Sequence, residues 1–228
     1  MNVRRRPLKL EPCERQGRGS GAELFVVEGD SASLAVTQVR DARCQAVLPM
    51  QGKPMNALRA SAGKVAGNSW YKALVEAIGT GWGAAFDAAA LQYDRIVLLM
   101  DPDADGIHCG ALLLMFFHRW MPQLLEGGYL EMVRAPVGEV RCDGDGRPRY
   151  AYADAQFQSL CMQLRSSGGR PFTALRYRGL ASLDPAVLRE LCVDPASRNG
   201  RRLTEADAQL AMAVFASMRE LPPQRPLF

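Results

Sequence analysis

The sequence predicts an α/β fold in which a parallel β-sheet is flanked by helices. Two short apolar runs, Glu23–Glu28 and Arg95–Met100, are typical of strands that are buried on both faces of such a sheet. Segments of helical character separate these runs, and strands that alternate with helices favour parallel pairing through crossover connections. A chain of 228 residues with 48% hydrophobic side chains also has enough apolar material for a sizeable core.

Short apolar runs alternate with helical periodicity as far as about residue 133. Asp30 and Ser31 are typical N-cap residues, and Gly79 is a typical residue at the end of a helix. Pro49 is expected to close a strand and Pro122 a helix. The predicted elements are a strand over 23–28, a helix over 32–40, a strand over 45–48, a helix over 69–79, a strand over 95–100, a helix over 107–121 and a strand over 129–133.

The composition changes beyond about residue 135. Asp-Gly dipeptides favour a hairpin over residues 139–150, and Thr204 with Asp207 has the spacing of a capping box. Further predictions are a helix over 154–164, a linker over 166–169 and helices over 184–192 and 204–220. The chain thus divides into a basic arm over 1–21, an α/β domain over 22–140, and a hairpin with a mostly helical tail over 141–228.

Composition narrows the class of protein. All but four of the 28 basic residues are Arg, whose planar fork of donors suits phosphate groups. This permits nucleic-acid binding, although a GC-rich gene would produce the same excess. No stretch approaches the roughly 18 apolar residues of a membrane span, and no secretory signal is evident, so a cytoplasmic protein without membrane contact is expected. The six scattered cysteines lack zinc or redox spacing and predict reduced, buried thiols.

A cluster of carboxylates follows the strongest strand. Asp101, Asp103 and Asp105 lie at alternate positions, so an extended segment would place all three on one side. Glu28 ends another predicted strand, and the carboxyl ends of parallel strands open onto one edge of a sheet. Like charges at this spacing repel one another, and Mg²⁺ in contact with phosphate would relieve the repulsion.

Other interpretations of the cluster can be weighed on the sequence. An EF-hand would need Glu at the position of Leu112, and a strand rather than a helix precedes the loop. A Walker A loop around Lys53 fails because Val47 stands in place of its first Gly and Pro54 in place of Ser or Thr. A solvated turn with Asp105-Gly106 at its corner remains the alternative to a metal site.

Five ordered motifs resemble one known family. They are Glu28-Gly-Asp-Ser-Ala32, Leu48-Pro-Met-Gln-Gly-Lys53 with Asn56, the Asp101-to-His108 run, Arg176-Tyr-Arg-Gly-Leu180 and Asp194-Pro-Ala-Ser-Arg198. Their order and spacing are similar to those of the TOPRIM domain and C-terminal tail in the B subunits of bacterial type IIA topoisomerases (gyrase and topoisomerase IV). The resemblance covers nearly the whole chain and implies a Rossmann-like parallel sheet.

The resemblance implies DNA cleavage and religation that depends on one or two Mg²⁺ ions. Carried over residue by residue, Glu28, Asp101 and Asp103 would be catalytic and hold the metal. Asp105 would complete the acidic set of the metal site and support it electrostatically. Lys53 would be catalytic through contact with a DNA phosphate, with an exposed loop lysine as the alternative.

The resemblance also implies a DNA-binding surface. Lys53, Asn56, His108, Arg176 and Arg178 are its candidate residues. For His108, the alternative is that its ring braces the start of a helix.

Departures from the family pattern bear on the expected partners. Ala135-Pro-Val-Gly138 stands where the family has Pro-Pro-Leu-Tyr, and Ala181-Ser182 stands where the tail has Gly-Glu; these two changes leave the metal carboxylates alone and bear on partner docking. A third departure is Ser33-Leu34, where the family has Gly-Gly. The GHKL-type ATPase and transducer domains of the family have no counterpart in these residues, so ATP is not expected to bind this chain. Expected partners are double-stranded DNA, a gyrase A-like or topoisomerase IV A-like protein that supplies the tyrosine, and a separate GHKL ATPase subunit.

Three functions therefore stay open at the level of sequence. The first is a Mg²⁺-dependent cleavage and religation subunit of a type II topoisomerase, inactive without its partners. The second is a stand-alone TOPRIM nuclease that uses water in place of tyrosine. The third is a non-catalytic module that binds DNA or gyrase.

Overall fold

A five-stranded sheet forms the centre of the protein. The computed structural model describes residues 9–144, 147–166 and 171–220. The strand order is β2-β1-β3-β4-β8, in which the first four strands are parallel and the last is antiparallel to its neighbour. The strands are β1 (Glu23–Glu28), β2 (Gln45–Met50), β3 (Arg95–Met100), β4 (Leu130–Arg134) and β8 (Gly200–Arg202).

Helices cover both faces of this sheet, which confirms the predicted α/β class. Alternate residues of the central strands belong to different cores: Leu24 and Leu98 pack into one cluster, and Phe25 and Leu99 into the other. The helices of this part are α1 (Gly29–Val39), α2 (Ala62–Ala66), α3 (Ser69–Ile78), α4 (Ala104–Trp120) and α5 (Pro122–Glu126).

The second strand continues through Pro49 instead of ending before it. Proline cannot donate a hydrogen bond, but β2 lies at the edge of the sheet, where such a residue is tolerated. On its outer side, Glu11 forms an antiparallel bridge with Val47. Residues 9–21, expected to belong to the arm, are therefore packed against the domain where the structure describes them, and Leu10 and Cys13 are buried.

The tail combines a small sheet with further helices. The predicted hairpin forms, and a strand that the sequence did not predict completes a sheet of order β6-β5-β7. Its strands are β5 (Gly138–Cys142), β6 (Arg149–Ala151) and β7 (Phe172–Arg176), and its helices are α6 (Asp154–Ser166), α7 (Pro185–Leu188) and α8 (Glu205–Glu220). Most of the predicted linker over 166–169 lies outside the described residues.

Two expected helix starts were wrong, and a third helix changes type before its end. Helix α1 begins at Gly29 with Glu28 as N-cap, so Asp30 and Ser31 lie in its first turn. Helix α4 begins at Ala104, not at Ile107, because Asp103 caps it. The helix expected over 184–192 is α-helical only over Pro185–Leu188 and continues as a π-helical turn over Arg189–Val193.

The structure also bears on the expectations about membrane spans and cysteines. Within 9–144, 147–166 and 171–220, no helix is both long and apolar enough to cross a membrane. All six cysteines are free thiols, and five of them are buried, as the sequence predicts.

Candidate metal centre

Glu28 lies where β1 meets α1, at the carboxyl edge of the sheet. β1 and β3 are neighbours, with Val27 opposite Leu99, so Glu28 and Asp101 come from adjacent strand ends. The Glu28 Oε2 atom is buried and has no hydrogen-bond partner among the residues that the structure describes. Its Oε1 atom is 3.9 Å from the Cys109 thiol, which is a weak donor. A buried carboxylate oxygen without a partner is costly in a folded protein.

Asp101 and Asp103 occupy different structural positions. Asp101 follows β3 and accepts a hydrogen bond from the backbone N–H of Leu180 at 2.8 Å. Asp103 is the N-cap of α4, and its Oδ1 accepts from the N–H of Gly106 at 2.8 Å. The expectation of one extended segment from Asp101 to Asp105 was wrong, because this cap starts the helix at Ala104.

Asp105 therefore lies on the first turn of α4 and not in line with the other two aspartates. Its side chain is exposed, and its Oδ1 accepts a hydrogen bond from Lys53 Nζ at 2.9 Å. The ion pair raises the pKa of Lys53 and lowers the pKa of Asp105. Of the acidic set inferred from the sequence, Asp105 is the member that already has a cationic partner.

The other carboxylates repel one another. Burial raises the pKa of Glu28, and the charges of Asp101 and Asp103 raise it further. Burial also raises the pKa of Asp101, against the opposing effect of the Leu180 N–H. Burial and the neighbouring Glu28 raise the pKa of Cys109 to about 11, so this thiol stays neutral at physiological pH. The edge thus concentrates negative charge on Glu28, Asp101 and Asp103 that no ion pair with a described residue neutralises.

These residues fit a divalent cation by their chemistry. Hard carboxylate oxygens are the ligands that Mg²⁺ prefers, and a cation would satisfy the buried Oε2 of Glu28. Among the described residues, no three acidic, histidine or cysteine side chains are already gathered around one point. Glu28, Asp101 and Asp103 therefore share an electrostatic environment without forming a closed set of ligands.

The predicted DNA-binding residues differ in the contacts that they make within the protein. Asn56 accepts from the N–H of Leu58 and so closes a turn in the loop that carries Lys53. The His108 ring packs edge-on against Phe215 of α8, with centroids 4.8 Å apart, and burial lowers its pKa. The bracing interpretation of His108 thus has a structural counterpart, although the brace comes from the tail helix.

The two tail arginines also differ from each other. Arg176 pairs with Asp154, and its guanidinium lies 5.4 Å from the centre of the Phe157 ring. Arg178 follows the last strand of the small sheet, in the loop that leads to Leu180, and its side chain is exposed. Arg176 is engaged within the tail, whereas Arg178 lies next to the loop that meets Asp101.

Close backbone approaches at Asp101 were not visible in the sequence. A Cβ on Gly106 would lie 2.0 Å from the Asp101 carbonyl oxygen, so only glycine fits at this position of α4. The loop of Gly179 and Leu180 meets the Asp101 carboxylate from the other side. The signal in the sequence that could have pointed to these contacts is the glycine itself, Gly106 after the aspartates and Gly179 in the tail motif.

Comparison with known proteins places these features in a family. Residues 23–135 match the model of the TOPRIM domain. The chain is 37% identical to the B subunit of DNA gyrase from Halalkalibacterium halodurans, over 92% of this chain and 32% of that protein. Identity to the gyrase B protein of Thermus thermophilus is 36%, over 96% of this chain and 34% of that protein. The B subunit of DNA topoisomerase 4 from Caulobacter vibrioides is 38% identical, over 88% of this chain and 28% of that protein.

The family comparison and the geometry agree on the same region. The chain spans about a third of the length of the curated relatives it matches. The TOPRIM match contains Glu28 and all three aspartates, and the similarity to the B subunits continues through the tail that contacts Asp101. This chain therefore belongs to the TOPRIM family, and the B subunits of gyrase and topoisomerase IV are its homologues.

Proposed function

We propose that this chain provides the divalent-metal site for cleavage and religation of double-stranded DNA by a type II topoisomerase. A partner protein similar to gyrase A or topoisomerase IV A supplies the tyrosine. The observation that carries the proposal is the pair Glu28 and Asp101: two partly buried carboxylates at adjacent strand ends, both with raised pKa values. Carboxylates that form no ion pair with a described residue suit a reaction on phosphate that needs a metal ion.

Each residue has a defined part in this proposal. Glu28, Asp101 and Asp103 would hold one or two Mg²⁺ ions. When bound, Mg²⁺ stabilises negative charge on a phosphate group and on a departing ribose oxygen. Asp105 holds Lys53 at the same edge, 2.9 Å away in an exposed ion pair. Exposed pairs of this kind are weak, so a DNA phosphate can take the place of Asp105 as the anion that Lys53 contacts.

Contact with DNA is proposed for the same edge of the sheet. Lys53 and Asn56 share one loop, and Arg178 lies in the loop that reaches Asp101. His108 and Arg176 would lie at the margin of the DNA-contacting surface, because the side chain of each packs against other residues of the protein. The proposed function gives this chain no role in ATP binding, which falls to a GHKL ATPase partner.

The test is a cleavage reaction with a separate tyrosine subunit. The chain is mixed with the gyrase A or topoisomerase IV A protein of its own organism, supercoiled DNA and Mg²⁺, and the reaction is quenched with detergent. We expect DNA breaks whose ends are covalently bound to the tyrosine subunit. Glu28→Gln should abolish these breaks. Glu76→Gln, on the exposed face of α3, should leave them unchanged.

Each other outcome identifies a different function. Breaks with free ends, made by this chain alone, would show a TOPRIM nuclease. Binding of DNA or of the tyrosine subunit without breaks under any condition would show a non-catalytic module. Unchanged cleavage by the Glu28→Gln variant would contradict the proposal directly.

A further inference from the structure

A single loop joins the tail to the carboxylate of Asp101. Arg178 to Leu180 connect the small sheet to a short 3₁₀ turn over Leu180–Ser182. The N–H of Leu180 donates to Asp101 Oδ1 at 2.8 Å, across 79 residues of sequence. Among the described residues, this is the one direct hydrogen bond to the side chain of Asp101. The tail therefore contacts the metal-site region at the carboxylate that would bind the cation.

Gly179 makes this approach possible. A Cβ at Gly179 would lie 3.0 Å from each carboxylate oxygen of Asp101 and 3.1 Å from its Cγ. Contacts this short are tighter than a side chain tolerates without displacing its neighbour. The backbone of Gly179 thus closes one side of the space in which the Asp101 carboxylate can rotate.

The loop is held in place from both ends. Leu180 is fully buried in the core cluster that contains Phe25 and Leu99. The hydroxyl of the buried Tyr177 donates to Glu139 at 2.9 Å. Ser182 Oγ accepts from the N–H of Arg178 at 2.9 Å and donates to the Gly179 carbonyl at 2.7 Å. Side chains locked by packing and by hydrogen bonds can define the geometry of a site, whereas a free loop cannot.

We propose that Gly179 and Leu180 are positioning residues that orient the Asp101 carboxylate for the divalent cation, so that the TOPRIM domain and the tail form one metal site. The inference rests on the proposed function for the metal itself. Leu180 donates to Oδ1 and leaves Oδ2 of Asp101 for the ion. Partners of ligating carboxylates typically control metal affinity by about 10- to 100-fold. By linkage, a bound ion also tightens the contact between loop and domain.

The test replaces the N–H of Leu180 and uses a control that loses the same side chain. Leu180→Pro lacks the donor and stands at the first position of a helical turn, where proline is tolerated. Leu180→Ala loses the same buried side chain but keeps the N–H, so it is the control. Mn²⁺ affinity of the full chain is measured by the electron paramagnetic resonance signal of the free ion. We expect Leu180→Pro to bind Mn²⁺ about 10- to 100-fold more weakly than Leu180→Ala.

A second variant and a second readout cover a failure to fold. Gly179→Ala keeps both Leu180 and its N–H, but it crowds the Asp101 carboxylate and strains a backbone whose φ is +154°, so it should weaken Mn²⁺ binding as well. In the unmodified chain, Mg²⁺ should slow hydrogen exchange at the Leu180 amide, and Glu28→Gln should remove that effect.

The outcomes separate this inference from the proposed function. Equal Mn²⁺ affinity in Leu180→Pro and Leu180→Ala, or an unchanged affinity in Gly179→Ala, would overturn the positioning role alone. If the unmodified chain shows no Mn²⁺ binding that depends on Glu28, the metal site itself is refuted, and the proposed function with it.

Discussion

The two ends of strand β1 carry the same residue type in opposite environments. Glu23 begins the strand and contacts Arg198 through two hydrogen bonds of 2.7 and 2.8 Å. Arg198 also binds Glu131 of β4, and its own side chain is only 3% exposed. Glu28 ends the strand beside Asp101, and within the described part of the chain one of its buried oxygens has no hydrogen-bond partner. Arginines thus pair with the buried carboxylates at one end of the sheet, whereas Glu28 at the other end forms no ion pair with a described residue.

This contrast separates a structural acidic cluster from a functional one. Buried charges are normally paired, since an unpaired charge costs several kcal/mol. Arg198 provides that pairing for Glu23 and Glu131 and anchors the tail to the amino edge of the sheet. The carboxyl edge has no such arginine among the residues that the structure describes, so its repulsion persists until a cation or a proton arrives. An acidic cluster is therefore informative when some of its buried carboxylates have no cationic partner among the described residues.

The largest effect on stability is expected when the buried ion pairs at the amino edge of the sheet are removed. Arg198→Ala removes the buried cation shared by Glu23 and Glu131 and leaves them only the partly exposed Arg95, so we expect a loss of about 3 to 5 kcal/mol in the free energy of unfolding. Urea denaturation measures this loss. The control Arg201→Ala removes an exposed pair with Asp207 and should cost at most about 1 kcal/mol. Equal losses in the two variants would mean that the buried ion pairs stabilise the fold no more than an exposed pair does.

A smaller effect of opposite sign is expected at the other end. Without metal, Glu28→Gln removes repulsion with Asp101 and Asp103, and it should stabilise the fold by about 0.5 to 1 kcal/mol after solvent screening. Mg²⁺ at 100 times its dissociation constant should stabilise the unmodified chain by about 2.7 kcal/mol and leave the variant unaffected. Thermal unfolding with and without Mg²⁺ measures both. Destabilisation of metal-free Glu28→Gln would remove the contrast between the two ends.

The smallest effect is a difference in pH dependence. The raised pKa values of Glu28 and Asp101 mean that the native state binds protons more tightly there, so their contribution to stability falls as pH rises through those values. Burial opposes ionisation of Glu131, but hydrogen bonds from Arg198 and Arg95 outweigh it and lower the pKa of this carboxyl. Its contribution is therefore present above the unfolded pKa and lost as pH falls through the native one.

Urea titrations between about pH 3 and pH 7 separate the two trends. Each should amount to a fraction of the about 1.4 kcal/mol per pH unit that one displaced proton contributes. Saturating Mg²⁺ or the Glu28→Gln change should flatten the decline towards neutral pH and leave the loss on the acid side in place. If neither change alters the decline in stability, other ionisable groups cause it.

Much of the α/β domain could be predicted from local pattern. The runs 23–28 and 95–100 are apolar throughout their centres because β1 and β3 are central strands covered on both faces, and both strands form with those bounds. Helix α3 begins at Ser69 and ends before Gly79 as expected. Strands β7 and β8 were missed because they carry little apolar pattern: most of their residues are exposed, and partner strands specify them.

Some positions in the candidate site could likewise be predicted from local pattern, and others could not. Glu28, Asp101 and Asp103 could be found because their position after apolar runs places them at one edge of a parallel sheet. The separate place of Asp105 could not, since it depends on whether Asp103 caps a helix or continues a strand. The backbone donor at Leu180 left no trace in composition, because every residue type except proline carries an N–H.

By itself, the sequence determined the class of fold, the order of the central strands along the chain and the edge at which the acidic residues gather. These follow from hydrophobic periodicity and from short-range preferences, which act between near neighbours. Only the tertiary structure decided which carboxylates have a partner. Arg198 pairs with Glu23, Lys53 with Asp105 and the Leu180 N–H with Asp101, while Glu28 Oε2 has no partner among the described residues. Charge compensation depends on distance in space and on burial, and both arise only when remote segments pack together.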